Sequence, residues 1–154
     1  MTYRPSRLSD IPFISELKLK MFKEVGMSHL LIDNFLEEVI STYNTLYTSG
    51  SAQHFVIEEE GEIIACAGAF IKEDIPYCFY KDRKYGFIGD VYVEPQFRQR
   101  GYARTLTNAL LHWLTNKNIV TVRLLASHNA RHLYESMGFK GTDEMTFRFQ
   151  TELS

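Results

Sequence analysis

The chain has 154 residues and a formal net charge of -2, with 45% hydrophobic and 23% charged side chains. These values predict one globular domain over residues 1–154 and exclude the strongly basic surface that is typical of nucleic-acid-binding proteins. No run approaches the ~18 consecutive apolar residues of a membrane span, and the first residues lack the apolar stretch of a signal peptide, so we expect a cytoplasmic protein without nucleic-acid or membrane partners.

The first fifty residues predict one short strand and two helices. Residues 2–4 form the strand candidate, and apolar residues from Ile11 to Val25 recur every three or four positions, as in an amphipathic helix, until Gly26 ends the pattern. The same spacing predicts a second helix over residues 28–47, after which the Ser-Gly-Ser sequence at 49–51 breaks the periodicity.

The middle of the chain predicts strands. Residues 54–58 and 63–71 are β-branched or small-residue runs on either side of Glu60-Gly61, a dipeptide that favours a hairpin turn. Residues 72–86 follow as a long connection with four aromatic and several charged residues. This connection could fold over a ligand or simply pack on the surface, and the sequence favours neither.

The last part of the chain alternates between strands and helices. Strands are predicted over residues 87–93 and 120–125, and an amphipathic helix over 101–116 lies between them. A short helix over 129–137 comes next, and a terminal strand is predicted where Met145, Phe147 and Phe149 alternate with polar residues. The whole pattern predicts a mixed α/β fold with helices packed on a single sheet.

The most informative segment is the turn between the strand at 87–93 and the helix at 101–116. Pro95 ends the strand, three arginines follow within ten residues, and Gly101 opens the helix. Such a turn leaves backbone N–H groups unpaired at the positive end of the helix dipole, which is an arrangement that binds diphosphate. The turn alone is equally consistent with a basic helix cap, and neither a Walker A loop nor a Gly-x-Gly-x-x-Gly motif is present.

Two motifs together resemble the GNAT (GCN5-related N-acetyltransferase) superfamily. Arg98-Gln99-Arg100-Gly101-Tyr102-Ala103 is similar to its Arg/Gln-x-x-Gly-x-Gly/Ala motif. About thirty residues further on, the segment from Asn129 to Phe139 matches its second signature, Asn-x4-Tyr-x3-Gly-Phe. The resemblance covers residues 53–149 and implies an α/β (α+β) fold. Its expected core is a mostly antiparallel sheet of about six to seven strands with about four helices, splayed between strands 4 and 5.

The resemblance also implies acetyl-CoA as co-substrate and a set of residues that bind it. In the family, the turn and helix start hold the pyrophosphate, the main chain of the fourth strand pairs with the pantetheine arm, and an asparagine bonds the cofactor nearby. The corresponding positions are Arg98, Gln99, Arg100, Gly101, Tyr102, Ala103, Arg104 and Thr105 for the turn, Val91, Tyr92 and Val93 for the strand, and Asn129.

For catalysis, the resemblance implies direct attack of a primary amine on the thioester. Tyr134 is the candidate general acid for the departing thiolate, because a phenol with a pKa near 10 keeps its proton at neutral pH. Asp90 could act as the base, directly or through water, although a structural role in bonding a neighbouring segment explains it equally well. A water relay or the uptake of an already neutral amine also remains open.

The acceptor is not readable from the sequence beyond a small-molecule or peptide amine. His128 and His132 stand four residues apart, but no His-Glu-x-x-His frame surrounds them, so no metal site is predicted. Cys66 and Cys78 show no paired spacing typical of a disulfide framework. Many family members are dimers, so the resemblance allows a homodimer. The alternative function is a non-catalytic module that binds or senses CoA or acetyl-CoA.

Overall fold

The computed structural model describes residues 2–76, 78 and 82–150. Its helices and strands follow the predicted order, with short 3-10 turns between some of them. The strands are β1 (Tyr3–Pro5), β2 (Ala52–Glu59), β3 (Glu62–Glu73), β4 (Lys84–Val93) and β5 (Val122–Leu124), and the helices are α1 (Ile11–Glu24), α2 (Phe35–Thr48), α3 (Tyr102–Asn116) and α4 (Arg131–Ser136). Among the described residues, no helix has both the length and the apolar character needed to cross a membrane.

The strands form one mixed sheet in the order β1-β2-β3-β4-β5. The first four strands are antiparallel to their neighbours, whereas β5 runs parallel to β4 because the chain crosses over through α3 between them. The predicted mixed, mostly antiparallel α/β architecture is therefore confirmed. The expected six to seven strands are five within the described part of the chain.

Each face of the sheet packs against different helices. On one face, the small side chains of Ala65, Ala67 and Ala69 in β3 let α3 lie close, and the cluster includes the fully buried Leu106 and Leu110 of that helix. On the other face, Val56, Cys66 and Tyr92 pack against α1 and α2. The alternation of side chains along β3 thus divides the core in two.

The second predicted helix begins later than its apolar spacing indicates. Residues 28–30 form a 3-10 turn, the extended backbone of Leu31 ends that turn, and α2 starts only at Phe35. The apolar residues before α2 are not core positions, since Leu30 and Ile32 are largely exposed. The predicted helix over 28–47 was wrong in its first two turns for that reason.

Two predicted features near the end of the chain also differ. The fifth strand covers residues 122–124 rather than 120–125, because Val120 and Leu125 at its ends are exposed. No strand occurs in residues 139–150 of the structure, so the predicted terminal strand is not formed there. Its alternating pattern indicates a capacity to pair, but the pattern does not say with which strand.

The long connection predicted over residues 72–86 is shorter in the structure. Strand β3 extends through Glu73 and β4 begins at Lys84, so strand residues occupy both of its ends. The Asp74 amide donates to the Arg83 carbonyl at 2.8 Å and closes the base of the hairpin. Residues 77 and 79–81 lie outside the described part of the chain, and both alternatives for the connection, folding over a ligand or packing on the surface, involve them.

Candidate functional site

A β-bulge interrupts the pairing of β3 and β4 in the middle of the sheet. Cys66 pairs with Tyr92 and Gly68 pairs with Gly89, so two residues of β4, Asp90 and Val91, stand opposite Ala67 alone. Asp90 has a φ of 58°, a left-handed conformation that costs a non-glycine residue about 1 kcal/mol. A bulge bends its strand and increases the local twist, so it changes the direction of β4 at this point.

Beyond the bulge, β4 loses its second neighbour. Strand β5 pairs with β4 only from Gly86 to Ile88 and ends at Leu124. Within the described residues, no strand therefore covers the outer edge of β4 from Gly89 to Val93. This divergence is the predicted splay between strands 4 and 5, and it leaves main-chain polar groups available to an extended ligand that carries amides.

The turn that follows β4 presents a row of unpaired backbone donors. Gln99 and Gly101 have left-handed φ angles of 62° and 79°, and α3 begins at the next residue. None of the N–H groups of residues 99–104 has a hydrogen-bond acceptor in the part of the chain that the structure describes. A Cβ atom on Gly101 would meet nothing within 4 Å, so the space in front of the turn is open. We call residues 99–104 the amide nest, and such a concave set of donors at a helix start fits an anion.

Two of the three arginines at the turn have structural partners of their own. Arg98 donates to the Val93 carbonyl at 2.8 Å and forms an ion pair with Glu24 of α1. The Arg104 guanidinium donates to the Ser136 hydroxyl at 2.7 Å and so links the start of α3 to the end of α4. Arg98 thus links the end of β4 to α1. A role of Arg98 in holding the cofactor is implied only by the resemblance to the GNAT superfamily.

The remaining residues of the predicted binding set differ in exposure. Tyr102 is buried in the core that α3 covers, while Ala103 and Thr105 are half-buried. The Thr105 amide donates to the Gly101 carbonyl at 3.0 Å and closes the first turn of the helix. Asn129 is exposed just before α4, where its side chain is accessible to a ligand.

Tyr134 lies on α4 with its ring in an apolar environment. The residue is 6% exposed, and its ring packs edge-on against Phe139 with 5.8 Å between centroids. Burial raises the pKa of its hydroxyl, which therefore stays protonated at neutral pH. Among the described residues the hydroxyl has no hydrogen-bond partner, and it is not one of the fully buried unsatisfied atoms. The group is thus a protonated donor that a ligand can use.

Tyr134 also lines a cleft of about 270 Å³ beside β5. Its walls are residues 122–126 of the β5 segment, α4, and the chain from Phe139 to Glu144. Residues of the amide nest do not contribute to this cleft, and neither does β4. Of the predicted site residues, Tyr134 alone lines this cleft.

A cluster of buried and half-buried polar side chains surrounds Asp90 on the α1 and α2 face. Its carboxylate accepts hydrogen bonds from His54 Nε2 at 2.8 Å, from the Tyr43 hydroxyl at 2.5 Å and from the Lys18 ammonium. The other ring nitrogen of His54 bonds to the Tyr47 hydroxyl at 2.7 Å. We call these five residues the Asp90 cluster, in which His54 is completely buried and Asp90 is 5% exposed.

The charges of the Asp90 cluster compensate one another. Burial by itself raises the pKa of Asp90, but the hydrogen bond from His54 and the charge of Lys18 outweigh it and hold the pKa well below its usual range. Burial and then the Asp90 charge raise the pKa of Tyr43, and burial raises the pKa of Tyr47 to about 12. Asp90 is therefore a carboxylate whose hydrogen-bonding capacity is already used within the protein.

Sequence reasoning did not identify Lys18, Tyr43 or His54 as members of a site. His54 and Asp90 are 36 residues apart, and only the pairing of the strands brings them together. One local signal is Gly68, since a Cβ atom there would lie 2.5 Å from His54 Nε2. A glycine in an otherwise apolar strand can mark the close approach of another group, but it does not reveal which one. Among the described residues, no cluster of potential ligands could hold a metal ion.

Comparisons with known proteins agree on one family. The family model for the acetyltransferase (GNAT) family matches residues 20–139. A predicted acetyltransferase from Clostridium acetobutylicum, crystallised with acetyl-CoA, has a TM-score of 0.86 at 25% identity, covering 96% of this chain and 95% of its own. A GCN5-related N-acetyltransferase from Ralstonia eutropha JMP134 has a TM-score of 0.86 at 26% identity, with coverages of 96% and 97%.

A more distant structure shares the fold alone. Glucosamine-6-phosphate N-acetyltransferase from Arabidopsis thaliana has a TM-score of 0.70 at 22% identity, covering 97% of this chain and 99% of its own. Comparison with curated protein sequences gives no match.

Proposed function

The chain belongs to the acetyltransferase (GNAT) family, and on that premise we propose that it transfers the acetyl group of acetyl-CoA to a primary amine of a small molecule or peptide. The observation that carries this proposal is the amide nest, residues 99–104, which leads directly onto the open edge of β4. A ligand with a diphosphate followed by an extended, amide-bearing arm fits both features, because the diphosphate suits the amide nest and the arm suits the open edge of β4. We place the reaction in the cytoplasm.

The amide nest is the part of the site that would hold the diphosphate. Its N–H groups lack protein acceptors, and the dipole of the fifteen-residue α3 adds partial positive charge at the same point. Gly101 both supplies the left-handed backbone and keeps the front of the turn free of a side chain. Arg100 belongs to the nest and adds a positive charge there, and its guanidinium lies over the Phe97 ring at 5.2 Å.

The open edge of β4 would bind the pantetheine arm and the thioester. The main chain of Val91 and Val93 is the proposed partner for the amides of the arm, and the N–H of Tyr92 or Val93 would donate to the thioester carbonyl as negative charge develops on it. Fixed backbone donors of this kind stabilise an oxyanion without reorganisation. Asn129, which is exposed between β5 and α4, would bond the same arm.

Acetyl-CoA supplies a thioester whose carbonyl carbon is electrophilic and whose thiolate can depart. The acceptor nitrogen forms a bond to that carbon, the carbon–sulfur bond breaks, and the nitrogen loses its extra proton to water. Tyr134 would donate its proton to the departing sulfur and regain one from solvent. The raised pKa of Tyr134 supports this role, because it keeps the phenol protonated until the thiolate forms.

We assign Asp90 a positioning role in place of the general base considered from the sequence. Its pKa is lowered and its oxygens accept from His54, Tyr43 and Lys18, so it has little tendency to take a proton from the acceptor. The residue forms the bulge itself, at φ 58°. Anchoring its side chain to α1, α2 and β2 fixes the bulge, and the bulge sets where the open edge of β4 begins.

The proposal is tested by incubating the protein with acetyl-CoA and a panel of amines. Release of free thiol is measured colorimetrically, and the acetylated product is identified by mass spectrometry. We expect thiol release that depends on at least one primary amine and a product heavier by one acetyl group. Saturable acetyl-CoA binding without thiol release for every amine would favour the alternative, a non-catalytic binding module, and would contradict the enzymatic proposal.

A further inference from the structure

Glu24 is a carboxylate at a position that its own helix disfavours. It is the last residue of α1, where the partial negative charge of the helix dipole repels an acidic side chain. The carboxylate is instead paired with Arg98 at 2.8 Å, although the two residues are 74 apart in the sequence. Arg98 is among the residues predicted to bind the cofactor and Glu24 is not, so this ion pair links α1 to the predicted site.

Arg98 stands at the point where the open edge of β4 meets the amide nest. The N–H of Glu94 donates to the Ile64 carbonyl of β3 at 2.9 Å. Because the carbonyl of a trans peptide points opposite to the following N–H, the Val93 carbonyl points away from β3 and lies on the open edge. Arg98 Nε donates to this carbonyl at 2.8 Å, and the guanidinium lies over the Tyr92 ring at 5.4 Å. The amide nest begins at the next residue.

A second ion pair holds α1 in the same register. Lys20 lies one turn before Glu24 on the same face of α1 and pairs with Glu94 at 2.7 Å. Glu94 and Arg98 in turn lie on either side of the 3-10 turn Pro95–Phe97, which leads from β4 to the amide nest. Two ion pairs of matching spacing therefore attach α1 to both ends of this turn.

The contacts of Arg98 favour a positioning role over direct binding of the diphosphate. A hydrogen bond to Val93, an ion pair with Glu24 and the Tyr92 ring together fix its planar guanidinium. The neighbouring carboxylate of Glu24 also offsets the positive charge that would attract an anion. The pair is therefore better suited to fixing the chain between the open edge of β4 and the amide nest than to holding a phosphate.

We propose that Glu24 is a positioning residue of the acetyl-CoA site, which acts through Arg98 to hold the amide nest at a fixed distance and angle from the open edge of β4. Acetyl-CoA engages both features with one molecule, so a rigid connection between them lets the diphosphate and the arm bind without a further ordering cost. This inference rests on the proposed function, because it requires acetyl-CoA to occupy both features.

The test compares Glu24→Gln with Glu58→Gln in the full chain. Both substitutions remove one negative charge from a glutamate that is paired with an arginine, and both side chains are 40% exposed. Glu58 lies on β2, which is not paired with β4, and is the matched control. Calorimetry and NMR titration measure the dissociation constants of three ligands. These are acetyl-CoA, ADP, which has a diphosphate without the arm, and acetyl-pantetheine, which has the arm without the diphosphate.

We expect Glu24→Gln to raise the dissociation constant of acetyl-CoA about fivefold, as for the loss of an exposed ion pair, and to change those of ADP and acetyl-pantetheine by less than about twofold. The direction of the change is decisive, because removing a negative charge beside the nest would by charge alone tighten the binding of an anion. Glu58→Gln should leave all three dissociation constants within about twofold of their original values.

A double-mutant cycle with Arg98→Met tests whether the effect passes through Arg98. In the Arg98→Met background, Glu24→Gln should change the dissociation constant of acetyl-CoA by less than about twofold. Urea unfolding curves check the fold of each variant. Glu24→Gln removes an acidic side chain from the negative end of the α1 dipole, so we do not expect it to weaken the helix.

Unchanged or tighter binding of acetyl-CoA by Glu24→Gln overturns the inference and leaves the proposed function intact. Equal weakening of all three ligands also overturns it, because Glu24 then acts on the nest or the edge itself and not on the connection between them. A full effect of Glu24→Gln in the Arg98→Met background overturns the route through Arg98. An unmodified chain that binds no acetyl-CoA contradicts the proposed function, and the inference about Glu24 falls with it.

Discussion

Substitution of Gly68 by alanine is the sharpest test of how the Asp90 cluster is held. The new Cβ atom would lie 2.5 Å from Nε2 of His54, 2.6 Å from Cδ2 and 3.0 Å from Cε1. The ring cannot simply move aside, because His54 is completely buried and both of its nitrogens are hydrogen-bonded. We therefore expect Gly68→Ala to displace His54 from Asp90.

Three contributions determine how much Gly68→Ala lowers the free energy of unfolding. Overpacking a well-filled interior costs about 1–3 kcal/mol. Loss of the 2.8 Å hydrogen bond to the Asp90 carboxylate costs about 1.5–3 kcal/mol, as for other bonds to charged groups. Replacing glycine by alanine within a strand by itself stabilises the fold by about 0.5–1 kcal/mol. Gly68→Ala should lower the free energy of unfolding by about 2–4 kcal/mol, since the first two costs overlap when the ring moves.

The assay is equilibrium unfolding in urea, followed by circular dichroism and by the fluorescence of Trp113, the single tryptophan. Gly89→Ala is the matched control, because Gly89 is the cross-strand partner of Gly68 and its Cβ would meet nothing closer than 3.5 Å. That control should change the free energy of unfolding by less than about 1 kcal/mol. Completing a double-mutant cycle with His54→Ala isolates the steric contact.

In the His54→Ala background the ring is absent, so adding a methyl group at position 68 should cost less than about 1 kcal/mol. Two results would show that the contact with His54 is not the cause of the destabilisation. One is equal destabilisation by the substitutions of Gly68 and Gly89. The other is an unchanged cost of Gly68→Ala after His54 has been removed, which would mean that the methyl group acts through something other than the histidine ring.

Three further substitutions test other parts of the account. Tyr134→Phe should lower turnover about 100-fold, which is the usual contribution of a positioned acid. Calorimetry should show an acetyl-CoA affinity within about twofold of that of the unmodified protein. Unchanged turnover, with chemistry shown to be rate-limiting, would remove Tyr134 from the mechanism. Gly101→Glu should abolish measurable acetyl-CoA binding in the same calorimeter, whereas Gly61→Glu, at a similar φ of 81° in an open hairpin turn, should bear the same backbone strain and bind normally. Because the folded-state pKa of Asp90 is lowered, its stabilisation is complete above the unfolded pKa and is lost as the pH falls towards the folded value. Asp90→Asn should therefore destabilise the protein at neutral pH and flatten the decline in unfolding free energy below about pH 4, and a parallel decline in both proteins would contradict the assignment.

Local sequence signals predicted the elements that carry the candidate site. The helix expected over residues 101–116 is α3, Tyr102–Asn116, because an uninterrupted apolar stripe and a glycine at its start both indicated it. The turn before it was also recognisable from sequence alone. Its proline ends the strand, its glycine permits a left-handed backbone, and its arginines supply positive charge. The amide nest occurs where these signals predicted an anion site.

Features that depend on distant residues could not be predicted. The Asp90 cluster joins α1, α2, β2 and β4, and the bulge at Asp90 follows from strand register rather than from its neighbours in sequence. The start of α2 was mispredicted because Leu30 and Ile32 continue the helical spacing but are not buried. For the predicted terminal strand with Met145, Phe147 and Phe149, alternation indicated a strand, but strand pairing depends on the partner as much as on the segment itself.

We propose above that the N–H groups of residues 99–104 hold the diphosphate of acetyl-CoA. The direct measurement is a titration of the nitrogen-15-labelled chain with acetyl-CoA, following every backbone amide in proton–nitrogen correlation spectra. We expect the largest shifts at residues 99–104, accompanied by shifts along the open edge of β4 from Gly89 to Val93. Saturable binding that leaves residues 99–104 unchanged, with shifts confined to the cleft beside β5, would contradict it.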